Sequence, residues 1–188
     1  MMVPSHHIFE KIIKDQSNKK LIENNLRGVF VEYLIVDILG LGWSVCDGSW
    51  NSWDIDGPNA TRLEVKSSAY IQSWYNWSVS QGREGISVPR FDIAERKSFW
   101  DGESEVEFKG LGRAAHLYIF ALHAEKDPEV ADHRVPEQWN FYIVKSETLP
   151  VGQKSIGLSG IQKLSKPVSA DNLLNEVNSK IDNWAYNK

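Results

Sequence analysis

Hydrophobic and polar positions change period several times along the 188-residue chain, and those changes divide it into segments. Over residues 17–39, Ile22, Leu26, Val29, Phe30, Tyr33 and Leu34 recur at helical spacing, which predicts a helix. Ser17 is placed to cap its start and Gly40 its end. WSVC at 43–46 reads as a short strand. Residues 52–56 and 62–67 read as two more, separated by the turn formers Gly57, Pro58 and Asn59. Residues 75–112 carry scattered charges and several glycines, and a helix around 91–100 is the expectation there. HLYIFAL (116–122) and WNFYIVK (139–145) are unbroken apolar runs of high β-propensity, the pattern of strands covered on both faces. The polar HAEKDPEVADHRVPEQ between them reads as a loop. From Ser169 a C-terminal helix is expected, with Leu173, Leu174, Val177, Ile181 and Trp184 on one face. Helix, three short strands, an irregular stretch, two buried strands and a helix predict an α/β arrangement, a mixed sheet flanked by helices.

Composition adds limits. At 41% hydrophobic and 24% charged, the chain is able to bury a core, and its length predicts a single domain. Its core would run over about 17–149, with a C-terminal extension over about 150–188. Cys46 has no partner for an internal disulfide, which fits a reducing compartment. MMVPSHHIFEKIIKD lacks the apolar stretch of a signal peptide, and GVFVEYLIVDILGLGW is interrupted by Glu32 and Asp37. A cytoplasmic protein with no membrane partner is therefore expected. The net charge of −4 lacks the basic footprint of a nucleic-acid binder. Carboxylates gathered to hold a divalent ion would, however, make a nuclease look more acidic than its binding face. Five of the eight tryptophans (Trp43, Trp50, Trp53, Trp74, Trp77) flank residues 53–74. Core or interface packing is the first expectation for them and base stacking the second.

The candidate chemistry lies in WDIDGPNATRLEVKSSAYIQSW, residues 53–74. If 53–57 and 61–67 pair around Asn59, Asp54 faces Glu64 and Asp56 faces Arg62, and opposed residues share a sheet face. Lys66, two residues past Glu64, points to the same side, while Ile55, Leu63 and Val65 point into a core. Two carboxylates, with water and a substrate phosphate completing the shell, suit Mg²⁺. Such an ion would activate water and stabilise charge on a phosphate, and a lysine beside it would orient or deprotonate the water. Glu-x-Lys alone is uninformative, because Glu95-Arg96-Lys97 and Glu107-Phe108-Lys109 repeat it. Only the copy at 64–66 follows a second strand, a turn of suitable length and a helix with an embedded acid, Glu32. That glutamate either sits at the helix's polar edge, pairing with Arg27 or solvent, or reaches Asp54, Glu64 and Lys66.

A helix glutamate, a strand aspartate and then Glu-x-Lys on the next strand resemble the PD-(D/E)xK superfamily of restriction-endonuclease-like nucleases. RGVFVEYLIVDIL, RAAHLYIFAL and QWNFYIV extend the likeness to a group of uncharacterised bacterial proteins with that fold, over about Arg27 to Lys145. The resemblance implies a three-layer α/β/α fold around a central mixed sheet. It implies metal ligation by Asp54 and Glu64, with the Val65 carbonyl as third ligand, Lys66 as the catalytic lysine and Glu32 as the helix acid. The cofactor would be Mg²⁺, with Mn²⁺ as a substitute, and the substrate nucleic acid, DNA before RNA. Dimers are frequent in the superfamily. Trp53 stands where the name of the motif has proline. Asp56 is the rival of Asp54, and pairing geometry favours Asp54. Ser67, Ser68 and Gln72 are candidates for contacting the phosphate or the water, with ordinary strand-end hydrogen bonding an equal reading. Arg83, Arg90, Arg96, Lys97 and Arg113 are candidates for backbone phosphates.

Other readings are weaker. GLGRAA (110–115) matches a dinucleotide-binding pattern, but a strand-like run follows where that pattern needs a helix. GLSGI lacks the last glycine of a nucleophile elbow, and no phosphate-binding Walker loop occurs. His116, His123 and His133 lack metal-ligand spacing. The serious rival is the same fold without catalysis, a module that binds nucleic acid or protein.

Overall fold

The two apolar runs pair with each other and form one side of the main sheet. A computed structural model describes residues 10–11, 14–15, 18–46 and 51–185. The strands are β1 (Ser44–Val45), β2 (Ile55–Gly57), β3 (Thr61–Ala69), β4 (Arg90–Asp92), β5 (Arg96–Trp100), β6 (Glu105–Gly112), β7 (Leu117–His123), β8 (Trp139–Lys145) and β9 (Ser155–Gly157). The helices are α1 (Asn24–Leu39), α2 (Tyr75–Ser80), α3 (Leu158–Leu164) and α4 (Ala170–Ala185). A five-stranded mixed sheet has the order β1-β2-β3-β7-β8. β3 and β7 pair in parallel and the other neighbours antiparallel. Every residue of β7 is buried, so an unbroken apolar sequence there costs nothing in exposed surface.

Strand parity sorts the core into two layers. Leu63, Val65, Ile119, Ala121, Phe141 and Ile143 meet Val31, Ile35 and Leu39 of α1 and Leu173 and Val177 of α4 on one face. On the other, Tyr118, Phe120, Tyr142 and Val144 meet Phe91, Ile93, Ile156 and Ile161. That second face is covered by the β4–β9 ribbon and the seven-residue α3. Residues 155–185 thus contribute to both layers. No helix among the described residues is long and apolar enough to cross a membrane.

Two sequence expectations need correction. Residues 91–100 form β4 and β5, not a helix. Phe91 and Ile93 alternate into the second core, and β5 turns back on β6 at Asp101-Gly102, a dipeptide suited to a hairpin. Gly102 takes a φ of 103°, and the Asp101 carboxylate accepts the amides of Glu103 and Ser104 at 3.0 and 2.8 Å. Secondly, α1 begins at Asn24, because the Ile22 amide is spent on His133 at 2.9 Å. The buried stripe of α1 is Arg27, Val31, Ile35 and Leu39, while Leu26, Val29 and Tyr33 are exposed. A helix apolar nearly all round carries too little periodicity to name its inward face. Gly40 does end it. Ser17, the expected cap, lies outside the described residues, as does the Trp184 side chain. The 124–138 segment is the expected loop, and it runs into the core, with Ala131 and His133 buried.

His133 is why that loop turns inward. Its Nδ1 accepts the Ile22 amide and its Nε2 donates to the Ile71 carbonyl at 3.0 Å, so the neutral ring joins three segments. His123 and Trp139 pack edge-on, with the His123 and His133 rings 4.7 Å apart. Burial first, then the charges of His123 and Arg27, push His133 down to about 4 from an ordinary 6.5. Its folded value lies below its unfolded one, so its contribution to stability is complete above 6.5 and is lost as pH falls from there toward 4. His133→Ala is expected to cost about 2–4 kcal/mol near neutral pH. The gap to wild type should narrow by about pH 5, as measured by denaturant midpoints. A gap independent of pH would show that the ring's neutrality is not what matters.

Candidate active site

The hairpin of β2 and β3 forms in the expected register, with Ile55 opposite Leu63 and Asp56 opposite Arg62. Its turn is Pro58–Ala60, where Asn59 and Ala60 both take positive φ, 56° and 57°. Gly57 precedes it because a Cβ there would lie 2.2 Å from the Trp43 ring. Thr61 closes the turn by donating to the Pro58 carbonyl at 2.7 Å. One step beyond Ile55, the Asp54 amide makes the last backbone bond to β3, donating to the Leu63 carbonyl at 2.9 Å. The Asp54 Oδ2 then accepts the Val65 amide at 2.7 Å, in place of a strand carbonyl. That bond holds Asp54 beside Glu64.

Glu64 and Lys66 project from β3 on the face opposite α1 and α4, and the Lys66 ammonium pairs directly with Glu64 Oε1. Both line a cleft of about 250 Å³ with Asp54, Asp92, Arg96, Phe99, Phe108 and Tyr118, among others. The sheet is its floor, and β4 with the β5–β6 hairpin makes the wall. The hairpin is strapped down, with Ser52 and Trp100 exchanging bonds of 3.0 and 2.9 Å. Arg62 is wedged between Trp53 and Phe99, 4.6 and 5.6 Å from their ring centres.

Charge in this cleft is under strain. Burial, then the Asp54 charge, pushes Glu64 up to about 7, with Lys66 opposing. Asp54 is also raised, chiefly by burial, against the Val65 amide and Lys66. Burial opposes the charged form of Lys66, yet Glu64, Asp54 and Asp92 together hold it above its ordinary value. Glu32 is pushed up to about 6 by burial and then by Asp54, with Lys66 opposing, so the helix acid lies within electrostatic reach of the cleft. It is not among the cleft-lining residues.

The remaining candidates divide. Asp56 is engaged elsewhere, accepting Trp53 Nε1 at 2.8 Å and the Cys46 thiol at 3.4 Å. Val65 gives its side chain to the helix-facing core. By strand parity Ser67 points to that side too, and Ser68 is buried further along β3 on the cleft side. Gln72 is turned away. It accepts from buried Arg27 at 2.6 Å and donates to the Ala69 carbonyl at 2.8 Å. Arg96 and Arg113 line the cleft. The Arg113 side chain is buried, 3.9 Å from Glu95, and donates to the carbonyls of Ile93 and Pro150. Arg83 lies over Trp77, Arg90 bonds Ser155, and Lys97 is exposed. Trp43 and Trp53 are buried, Trp74 and Trp77 exposed, and Trp50 is outside the described residues.

Asp92 was missed. Nothing in FDIAER marks it, since it reaches the cleft only because β4 pairs with β9 across the sheet face. It pairs with Arg96 at 3.3 Å and bears on both Glu64 and Lys66.

No family model, no curated protein and no solved structure matches this chain. What the cleft does follows from its own groups.

Among the described residues, no three His, Cys, Asp or Glu side chains stand together as a ready-made metal cage. Asp54 and Glu64 provide two hard oxygen donors whose mutual repulsion a cation would relieve. Mg²⁺ commonly takes only one or two carboxylates and fills its shell with water and phosphate oxygens, so the donor set fits that ion.

The folded value of Glu64 lies above its unfolded one. Its stabilising, protonated form is therefore complete below about 4.5 and is lost as pH rises through 7. Glu64→Gln keeps the neutral shape without the titration. At about pH 8 it should be more stable than wild type by about 1–3 kcal/mol, with the difference gone by about pH 4.5. A thermal melting series checks this, and a variant weaker than wild type at the alkaline end would refute it.

Proposed function

We propose that the protein is a metal-dependent nuclease of restriction-endonuclease-like fold, hydrolysing phosphodiester bonds in nucleic acid, DNA before RNA. The observation that carries this reading is the convergence of Asp54, Glu64 and Lys66 at one end of a polar cleft, held there by the Asp54–Val65 bond. Perturbed titration in a cleft is what hydrolytic sites need and what ordinary surface strands lack. The mixed sheet flanked by helices supports the fold assignment at the level of architecture.

Asp54 and Glu64 would hold the ion, with the Val65 carbonyl as third ligand and Glu32 as an outer acid. Such an ion would supply Lewis acidity, lowering the pKa of water and offsetting charge on the phosphate. The proton that the attacking water loses would pass to bulk solvent, since water on such an ion is acidic near neutrality. Lys66, charged and pointing into the same cleft, offsets the negative charge that develops on the phosphoryl oxygens. Its pairing with Glu64 keeps the two groups together before substrate arrives. Water adds to phosphorus as the P–O bond to the leaving oxygen breaks, and that oxygen takes a proton from solvent or Lys66.

The competing reading is a binding module that retains the fold without cutting. Incubation of the purified protein with DNA and RNA in Mg²⁺, Mn²⁺ or Ca²⁺, beside Lys66→Ala and Glu64→Ala, separates the two. Cleavage in Mg²⁺ or Mn²⁺ that falls at least about 100-fold in both variants is the expected result. Equal trace activity in all three proteins, or none, refutes catalysis. Binding that persists without cleavage identifies the module.

A further inference from the structure

Four features of the cleft bear on the form of its substrate. The first is its size, about 250 Å³ between the sheet and the β5–β6 hairpin. The second is that the hairpin is fixed. Ser52 and Trp100 exchange hydrogen bonds, Asn51 and Asp101 form an isolated bridge, and Arg62 is wedged under Phe99. The third is an aromatic wall. Phe99 and Phe108, on β5 and β6, both line the cleft with their ring centres 4.9 Å apart. Gly112 leaves room for that wall, since a Cβ there would lie 2.6 Å from the Phe108 ring. The fourth is charge. The hairpin end DGESEVE carries Asp101, Glu103, Glu105 and Glu107, all exposed, and no cation.

We infer that the cleft takes a single strand of nucleic acid, with one base stacked against Phe99 and Phe108 and its phosphate beside Lys66. This rests on the phosphodiesterase reading and specifies its substrate. In a duplex, bases are already stacked on each other, and a base could reach the aromatic wall only by leaving that stack, which is costly. A free strand has no such barrier, and base–aromatic stacking is tolerant of sequence. The second strand would also bring its phosphates toward the acidic end of the hairpin. A chain with 21 Lys and Arg against 25 Asp and Glu has no cationic excess with which to draw in a duplex by its backbone alone. Arg96, now paired with Asp92, is the cation on the wall that an incoming phosphate would compete for.

The test is fluorescence anisotropy with labelled DNA of about 12 nucleotides, single-stranded or annealed to its complement, in Ca²⁺. Cleavage of the same substrates in Mn²⁺ is followed in parallel. The single strand is expected to bind at least about 10-fold more tightly than the duplex. Phe108→Leu, which retains apolar bulk for the hairpin, should weaken single-strand binding by about 5-fold or more. Phe108→Tyr, which retains the aromatic face, should restore it. Duplex binding as tight as single-strand binding overturns the inference, as does Phe108→Leu behaving like wild type. A duplex cut as fast as a single strand, by a protein that needs Lys66, leaves the nuclease standing and removes this inference. No binding and no product from either form overturns both.

Discussion

The site depends on one hydrogen bond, from the Val65 amide to the Asp54 carboxylate. A sheet register that slips by one residue sends every side chain to the opposite face. Where the backbone ladder between β2 and β3 stops, this side-chain acceptor continues it for one more step. The carboxylate so spent stands on the same face as Glu64 and Lys66. The turn from Gly57 to Thr61 and the filled core beneath Ile55, Leu63 and Val65 enforce the same register from two other directions. Three independent constraints agree, which is how a short and partly polar hairpin keeps one arrangement.

The second consequence is electrostatic. Two carboxylates and an ammonium share a cleft that is only partly open to water, and neither acid retains its ordinary titration. Folding carries that burden because packing elsewhere is strong. The β3–β7–β8 sheet is covered on both faces, and its apolar strands bury nearly every residue. The His123–His133–Trp139 cluster and the Arg27–Gln72 pair bind the N-terminal segment, the 124–138 loop and the sheet's far end into one unit. A polar cleft held at one end of a rigid scaffold is a common way to place reactive groups against their solvation preference.

The parts of the fold visible in the sequence were those with one dominant local signal. Continuous apolar runs marked β7 and β8 almost to the residue, and alternation with a Gly-Pro-Asn turn marked the β2–β3 hairpin. The β5–β6 hairpin was obscured because its acidic end broke the alternation, although Asp101-Gly102 carried the turn signal. The inward face of α1 was not legible because apolar residues surround the helix, and Arg27, Val31, Ile35 and Leu39 are the residues it buries. Gln72 looked like a candidate for substrate from its place near the motif, yet Arg27, distant in sequence, claimed it.

By itself the sequence determined which residues of 53–66 share a face, because strand parity and turn length are local properties. It thereby brought Asp54, Glu64 and Lys66 together and set Asp56 against Arg62. Tertiary structure alone decided what stands opposite them. Asp92, Arg96, Phe99 and Phe108 lie 26 to 42 residues beyond Lys66 in the chain. Their position depends on β4 pairing with β9 and on the hairpin being strapped to Ser52. The enclosure that raises the carboxylates and narrows the entrance is therefore a property of packing between distant segments, which no local pattern encodes.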